Sequence, residues 1–114
     1  MTMFFIFTIM KIKTGHNYYT YITTNKNKTV LYIGVTNNLT DRISQHRADA
    51  EANGKSFAAR YNCYNLIYWE HFTNINLAIA RETELKGWTR EKKEALIQSF
   101  NPYWKFLTED NMHP

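Results

Sequence analysis

Two runs rich in β-branched and aromatic residues come early in the chain, before any helical periodicity. Residues 18–24 read YYTYITT and residues 29–35 read TVLYIGV, with the polar stretch Asn25-Lys26-Asn27-Lys28 between them. Side chains of this kind fill a pleated surface well, and a short polar loop between two such runs predicts a β-hairpin. Thr36-Asn37-Asn38 then offers capping side chains, and Leu39, Ile43 and Ala50 fall on one side of a helix running to about Ala52. Asn53-Gly54 closes that helix. Residues 61–71, YNCYNLIYWEH, predict a third strand. Simple alternation would put Cys63, Asn65, Ile67 and Trp69 on one face and Tyr64, Leu66 and Tyr68 on the other. Asn74 caps a second helix to about Lys86, with Ala78, Ile79, Glu82 and Leu85 three and four apart. Thr89 caps a third helix to about Gln98, and Asn101-Pro102 breaks the chain after it. The order β-β-α-β-α-α predicts an α+β domain, a small sheet with helices packed on it.

The length of 114 residues fits one domain. Cys63 is the only cysteine, which excludes an internal disulfide and a cysteine-based zinc site and suits a reducing compartment, the cytoplasm. Net charge is +4, and the excess is uneven. Residues 1–50 carry six basic residues against Asp41 and Asp49, whereas residues 51–114 balance at eight against eight. A basic half suits a polyanion, nucleic acid first among them. The opening MTMFFIFTIM carries no charge. It is far shorter than the ~20 residues of a membrane span and lacks the basic start of a secretory signal. It is expected to be an extra strand, a tail, or a stretch upstream of a true start at Met10, with no membrane partner.

Four polar residues converge in this scheme. Tyr21 and Tyr32 sit on neighbouring strands of the hairpin, and Arg42 and His46 share a face of the next helix. Gly34, between strand and helix, permits a close backbone approach. Two phenols, a guanidinium and an imidazole over one hollow suit hydrolysis of a phosphodiester. A guanidinium binds phosphate through a planar fork, and a positioned base takes a proton from water. A divalent ion held by a carboxylate neutralises developing charge. Glu70, Glu82 and Glu84 are the candidate carboxylates, Glu82 being nearest the buried side of its helix. Each residue also has an ordinary structural counterpart, such as the i,i+4 pair Glu82 and Lys86 on an exposed helix surface.

The segment LYIGVTNNLTDRISQH resembles the core of the GIY-YIG nuclease superfamily, with Tyr32-Ile33-Gly34 as the second half of its signature. The spacings fit that family: 11 residues from Tyr21 to Tyr32, 10 to Arg42 and 4 more to His46. The first triplet, Tyr19-Thr20-Tyr21, keeps only its tyrosine. ARETELKGW resembles the family segment that carries the metal-binding glutamate, at Glu82. FNPYWKFL resembles small stand-alone members related to the nuclease domain of the excision-repair excinuclease. The likeness spans residues 17–107, leaving 1–16 as an N-terminal extension and 108–114 as a tail.

What the resemblance implies is a three-stranded antiparallel sheet flanked by helices and metal-dependent endonuclease action on DNA, in repair or recombination. Tyr21 or Tyr32 would be the general base, Tyr21 being favoured. Arg42 would bind the scissile phosphate, and His46 would contact phosphate or leaving group. Glu82 would hold Mg2+ or Mn2+. Gly34 and Asn101 would lie at the substrate, Asn101 as either a structural or a substrate-side amide. A protein partner would supply target specificity. The alternative is a module of the same fold that binds nucleic acid without cutting it.

Overall fold

The computed structural model describes residues 16–113. What was expected of residues 1–15 therefore lies outside the described residues. Strand β1 (Tyr18–Thr24) pairs antiparallel with β2 (Leu31–Thr36) on one side and with β3 (Asn65–Phe72) on the other, giving the order β2-β1-β3. The hairpin turn is organised by Asn25, whose Oδ1 accepts from the backbone N–H of Thr29 at 2.8 Å and of Val30 at 3.1 Å. Lys28 adopts the left-handed conformation that closes it.

Helix α1 (Leu39–Glu51) follows β2, and Asn38 caps it by accepting from Asp41 N at 3.0 Å. Helix α3 (Ile75–Lys86) begins at the cap Asn74 and α4 (Arg90–Phe100) at the cap Thr89. The helix-forming segments and their caps thus match the sequence-based expectation. One further helical turn, α2 (Phe57–Arg60), interrupts the loop after α1 and was not foreseen. Its N-cap Ser56 accepts from Ala59 N at 3.2 Å, and Ala58 and Ala59 are buried.

β3 starts at Asn65 rather than Tyr61. Ala58 O takes the Cys63 N–H at 2.8 Å, and Asn62 is left-handed, so the chain turns there instead of extending. The expected alternation along β3 also fails. Ile22 pairs with Tyr68 and Thr23 with Leu66, so Ile67 is an extra residue in the ladder, a β-bulge. Ile67 and Tyr68 consequently pack together with Ile22, Ile33, Leu85 and Ile97, while Leu66 and Trp69 pack with Tyr19, Tyr21 and Leu39.

Those two clusters are the two halves of the core. α1 and the end of the chain cover one face of the sheet, and α3 and α4 cover the other. Every β1 residue but Tyr18 is buried, because β1 is both the central strand and covered on both faces. Thr20 spends its hydroxyl on Ala78 O of α3 at 2.8 Å, which ties sheet to helix inside the core. The stretch beyond residue 107, expected as a tail, returns to the core. Leu107 N donates to Leu66 O at 2.7 Å, Trp69 Nε1 donates to Met112 O at 3.0 Å, and Met112 is buried.

Asn101 fixes the start of that return. It is fully buried, its Nδ2 donates to Ile67 O at 3.0 Å and Lys105 O at 2.8 Å, and its Oδ1 accepts from Lys105 N at 3.0 Å. Of its two expected roles the structural one matches this geometry: the amide is engaged inside the protein and offers no donor to a substrate. Replacement by Ala leaves these backbone groups buried without partners. Asn101→Ala is expected to lower the unfolding free energy by about 2–3 kcal/mol, read as a fall in the denaturant midpoint at unchanged slope.

Candidate functional site

The site is built around the Tyr21 side chain. Tyr21 pairs with Gly34 across the β1–β2 ladder. Its ring lies over Gly34 so closely that a Cβ there would sit 2.5 Å from the phenol oxygen and 2.6 Å from Cζ. Glycine is therefore required by its neighbour rather than by its own backbone. The close approach expected at Gly34 is present, but its occupant is the Tyr21 phenol, which puts this buried glycine beneath the ring rather than at a substrate. β2 is an edge strand, so the phenol is carried toward the rim of the sheet.

There the Tyr21 hydroxyl and His46 Nε2 share a hydrogen bond of 2.8 Å. His46 projects from α1 and is only 2% exposed. The Tyr32 ring meets the His46 ring edge-on, with centroids 5.2 Å apart, and lies 6.3 Å from the Tyr21 ring. Arg42, one turn before His46, interacts with both phenols while its Nη1 donates to Gln45 Oε1 at 3.0 Å. Desolvation alone would lower the Arg42 pKa, but the two phenols outweigh it and hold the guanidinium above its usual value.

The electrostatics amend two expectations. Burial first, and then the positive charge of Arg42, push the His46 imidazole down to about 4, with Asp49 offsetting only part of this. His46 is thus neutral near pH 7 and enclosed against the Tyr21 hydroxyl. Burial likewise pushes Tyr21 up to about 12, against the pull of Arg42. Tyr21 has no exposed surface, so in this arrangement a water does not reach it. Tyr32, which is half-buried, is the signature phenol open to solvent.

Among the three carboxylates considered, Arg81 claims two. Its Nη2 pairs with Glu70 Oε2 at 3.0 Å and its Nη1 with Glu84 Oε1 at 2.8 Å, and Glu70 also accepts from the Tyr68 hydroxyl. Glu82 remains. It leans on Lys86 at 3.4 Å, the ordinary i,i+4 pair, and its side chain is 22% exposed. α3 packs on the face of the sheet opposite α1, so Glu82 and Arg42 come from different layers. The negative charge of Glu82 is nevertheless felt at Tyr21, where it disfavours a phenoxide. Tyr21, Tyr32, Arg42 and His46 therefore gather on the α1 face of the sheet near the β2 edge, and Glu82 comes from the opposite layer.

Among the described residues no three His, Cys, Asp or Glu side chains converge. A single carboxylate beside an open edge does not fit an ion stripped of water and held by protein alone. It does fit Mg2+ or Mn2+, which keeps several waters and takes further oxygens from a phosphate.

The fold and this group of side chains define a class: a small α+β domain that gathers two tyrosines, an arginine and a histidine beside one sheet edge, with a glutamate in the adjoining layer. The chain belongs to the GIY-YIG catalytic domain family, whose model matches residues 17–95, and the family is one of nuclease domains. It is similar to the UPF0213 protein of Clostridium perfringens, 36% identical over 93 residues that cover 82% of this chain and 90% of that one. It is also similar to the UPF0213 protein of Natronomonas pharaonis, 31% identical over 81 residues, 71% of this chain and 91% of the relative. The UPF0213 protein of Bacillus halodurans, known from a solution NMR structure, is 27% identical with a TM-score of 0.49, over 77% of this chain and 89% of that one.

Sequence reasoning missed the aromatic pair next to this site. Phe57 of α2 stacks on Tyr32, with centroids 6.4 Å apart and planes inclined by 24°, and Tyr61 lies 4.7 Å beyond Phe57. The only sequence signal was two aromatic residues four apart, one in a polar loop and the other at the expected start of the third strand.

Two outcomes follow from this geometry. Gly34→Ala drives a methyl into an enclosed ring, and is expected to cost about 1–3 kcal/mol of stability. The same change in a Tyr21→Leu background is expected to cost clearly less, a coupling that a double-mutant cycle by denaturant unfolding reads directly. The second concerns pH. The folded His46 pKa of about 4 lies below its unfolded value of 6.5, so between them the unfolded chain binds the proton. His46 therefore contributes stability that is complete above about pH 6.5 and is lost as pH falls toward 4, on the order of 2–3 kcal/mol. Unfolding curves of wild type and His46→Gln at pH 4.5 and 7, both values inside or above that window, are expected to show the smaller pH dependence in the variant.

Proposed function

We propose that this protein is a divalent-metal-dependent endonuclease that hydrolyses DNA phosphodiester bonds, serving DNA repair or recombination in the cytoplasm. The observation that carries the reading is the Arg42 guanidinium set against both signature tyrosines at a sheet edge that the Glu82 charge also reaches. The basic N-terminal half and the family both favour a nucleic-acid substrate.

In this reading Arg42 binds non-bridging oxygens of the scissile phosphate. Its charge does not titrate away, and its planar fork suits the oxygens of a phosphate. Tyr32 takes the part of general base, because it is the phenol that a water can meet. The Tyr32 oxygen takes the proton from the water, its own proton passing to solvent, as the water oxygen bonds to phosphorus. The phosphorus–oxygen bond to the leaving nucleotide breaks in the same displacement. Tyr21, favoured from sequence as the base, instead positions the others: bonded to His46 and wedged over Gly34, it holds the rings of Tyr32 and His46 in register. Glu82 would hold the ion, which when bound neutralises charge on the phosphate and the leaving oxygen.

The test is nicking of supercoiled plasmid by purified protein with Mg2+ or Mn2+. Arg42→Ala is expected to lower the rate about 10²–10³-fold, and Arg42→Lys somewhat less, since lysine keeps the charge and loses the fork. Tyr32→Phe is expected to abolish nicking while leaving the unfolding midpoint nearly unchanged, and Glu82→Gln to leave the fold intact and weaken the metal dependence. Salt-sensitive DNA binding with no cleavage under either metal would replace the nuclease reading with that of a binding module.

A further inference from the structure

The aromatic ladder that continues Tyr32 away from the site has no structural task that accounts for it. Phe57 is 50% exposed and Tyr61 44% exposed. Single exposed apolar residues are ordinary, but contiguous rings that run outward from a catalytic edge form a patch. The rings are held in place. α2 is anchored by the buried Ala58 and Ala59 and tied to the loop beyond by the Cys63 N–H on Ala58 O. Gly54 lets the preceding loop close on α1, since a Cβ there would lie 3.0 Å from Asp49 O and 3.2 Å from the Ala59 Cβ. The ladder is thus presented on a fixed turn.

Its surroundings are cationic. The Arg60 guanidinium lies over the Tyr61 ring at 6.0 Å, and neither Arg60 nor Lys55 makes an ion pair among the described residues. Arg60 also stands on the rim of an open polar hollow of about 320 Å³, lined with Asn53, Gly54 and Asn62. Half-exposed rings that continue from Tyr32, which itself meets Arg42, beside cations that make no ion pair match one chemistry, a base together with its phosphate.

We propose that Phe57 and Tyr61 form a stacking site for an unpaired nucleobase adjoining the scissile phosphate. This deepens the nuclease reading and rests on it for the position of that phosphate. In a duplex each base has both faces covered by its neighbours, so an exposed ring gains a contact only where a base is unstacked. The ladder therefore selects single-stranded or locally opened DNA over continuous duplex, without reading sequence, because every base has a π-face. A protein partner docking on the same rings would show no such dependence on strandedness.

The experiment measures binding without divalent metal, by fluorescence anisotropy. The probes are a fluorescein-labelled single-stranded DNA oligonucleotide and the same strand annealed to its complement. Wild type is expected to prefer the single strand. Phe57→Ala and Tyr61→Ala are each expected to weaken that binding about tenfold and to leave duplex binding unchanged, with Phe57→Trp restoring it. Circular dichroism checks that each variant is folded, as the exposure of both side chains predicts. Equal losses on both probes, no loss on either, or a wild type that prefers duplex or binds neither would overturn the stacking site. A wild type that binds as expected but nicks no plasmid under either metal would sink the nuclease reading and leave this one standing.

Discussion

The passage of one phenol across one glycine sets the rest of the site. Tyr21 sits on the strand with the least freedom in the molecule, paired on both edges and packed on both faces. Its ring cannot move inward, and it leaves the sheet only where Gly34 has no side chain to block it. The hydroxyl is then fixed at the β2 edge, and the polar side chains around it are referred to that point. His46 bonds to it, Arg42 lies one helical turn before His46, and Tyr32 packs against both rings. Core packing is accurate to fractions of an ångström, and this arrangement extends that accuracy from the core to a surface edge.

The charge distribution follows from the same burial. An imidazole enclosed beside a guanidinium gives up its proton, so the Tyr21–His46 pair is a neutral hydrogen-bonded prop. Arg42 carries the positive charge among these four residues. Glu82 opposes it from the other layer and disfavours a phenoxide at Tyr21.

Features of the fold that depend on neighbours in sequence were legible in the sequence. The hairpin, the three long helices and their caps Asn38, Asn74 and Thr89 are set by side chains within a few residues of the backbone groups they satisfy. The Tyr21, Tyr32, Arg42 and His46 cluster was legible too, because a hairpin followed by a helix leaves few ways to arrange them. What escaped depends on distant contacts. The bulge at Ile67 arises in the register with β1, some forty residues away in the chain, and no local pattern announces it. The burial of Tyr21 and the neutrality of His46 come from the enclosing layers, which no local pattern announces. Asn101 was ambiguous because its partners, Ile67 and Lys105, are identified only once the chain end folds back.

The turn α2 escaped for a related reason, and its consequence reaches furthest. Four residues are too few for periodicity to register, so Ser56-Phe57-Ala58-Ala59 read as loop. Its two alanines are buried, and its phenylalanine points outward because the turn can bury only one side. The opposite arrangement, with the aromatic inside, would cover more apolar surface. That the larger ring is the exposed one, stacked against Tyr32, means local packing alone does not choose its place.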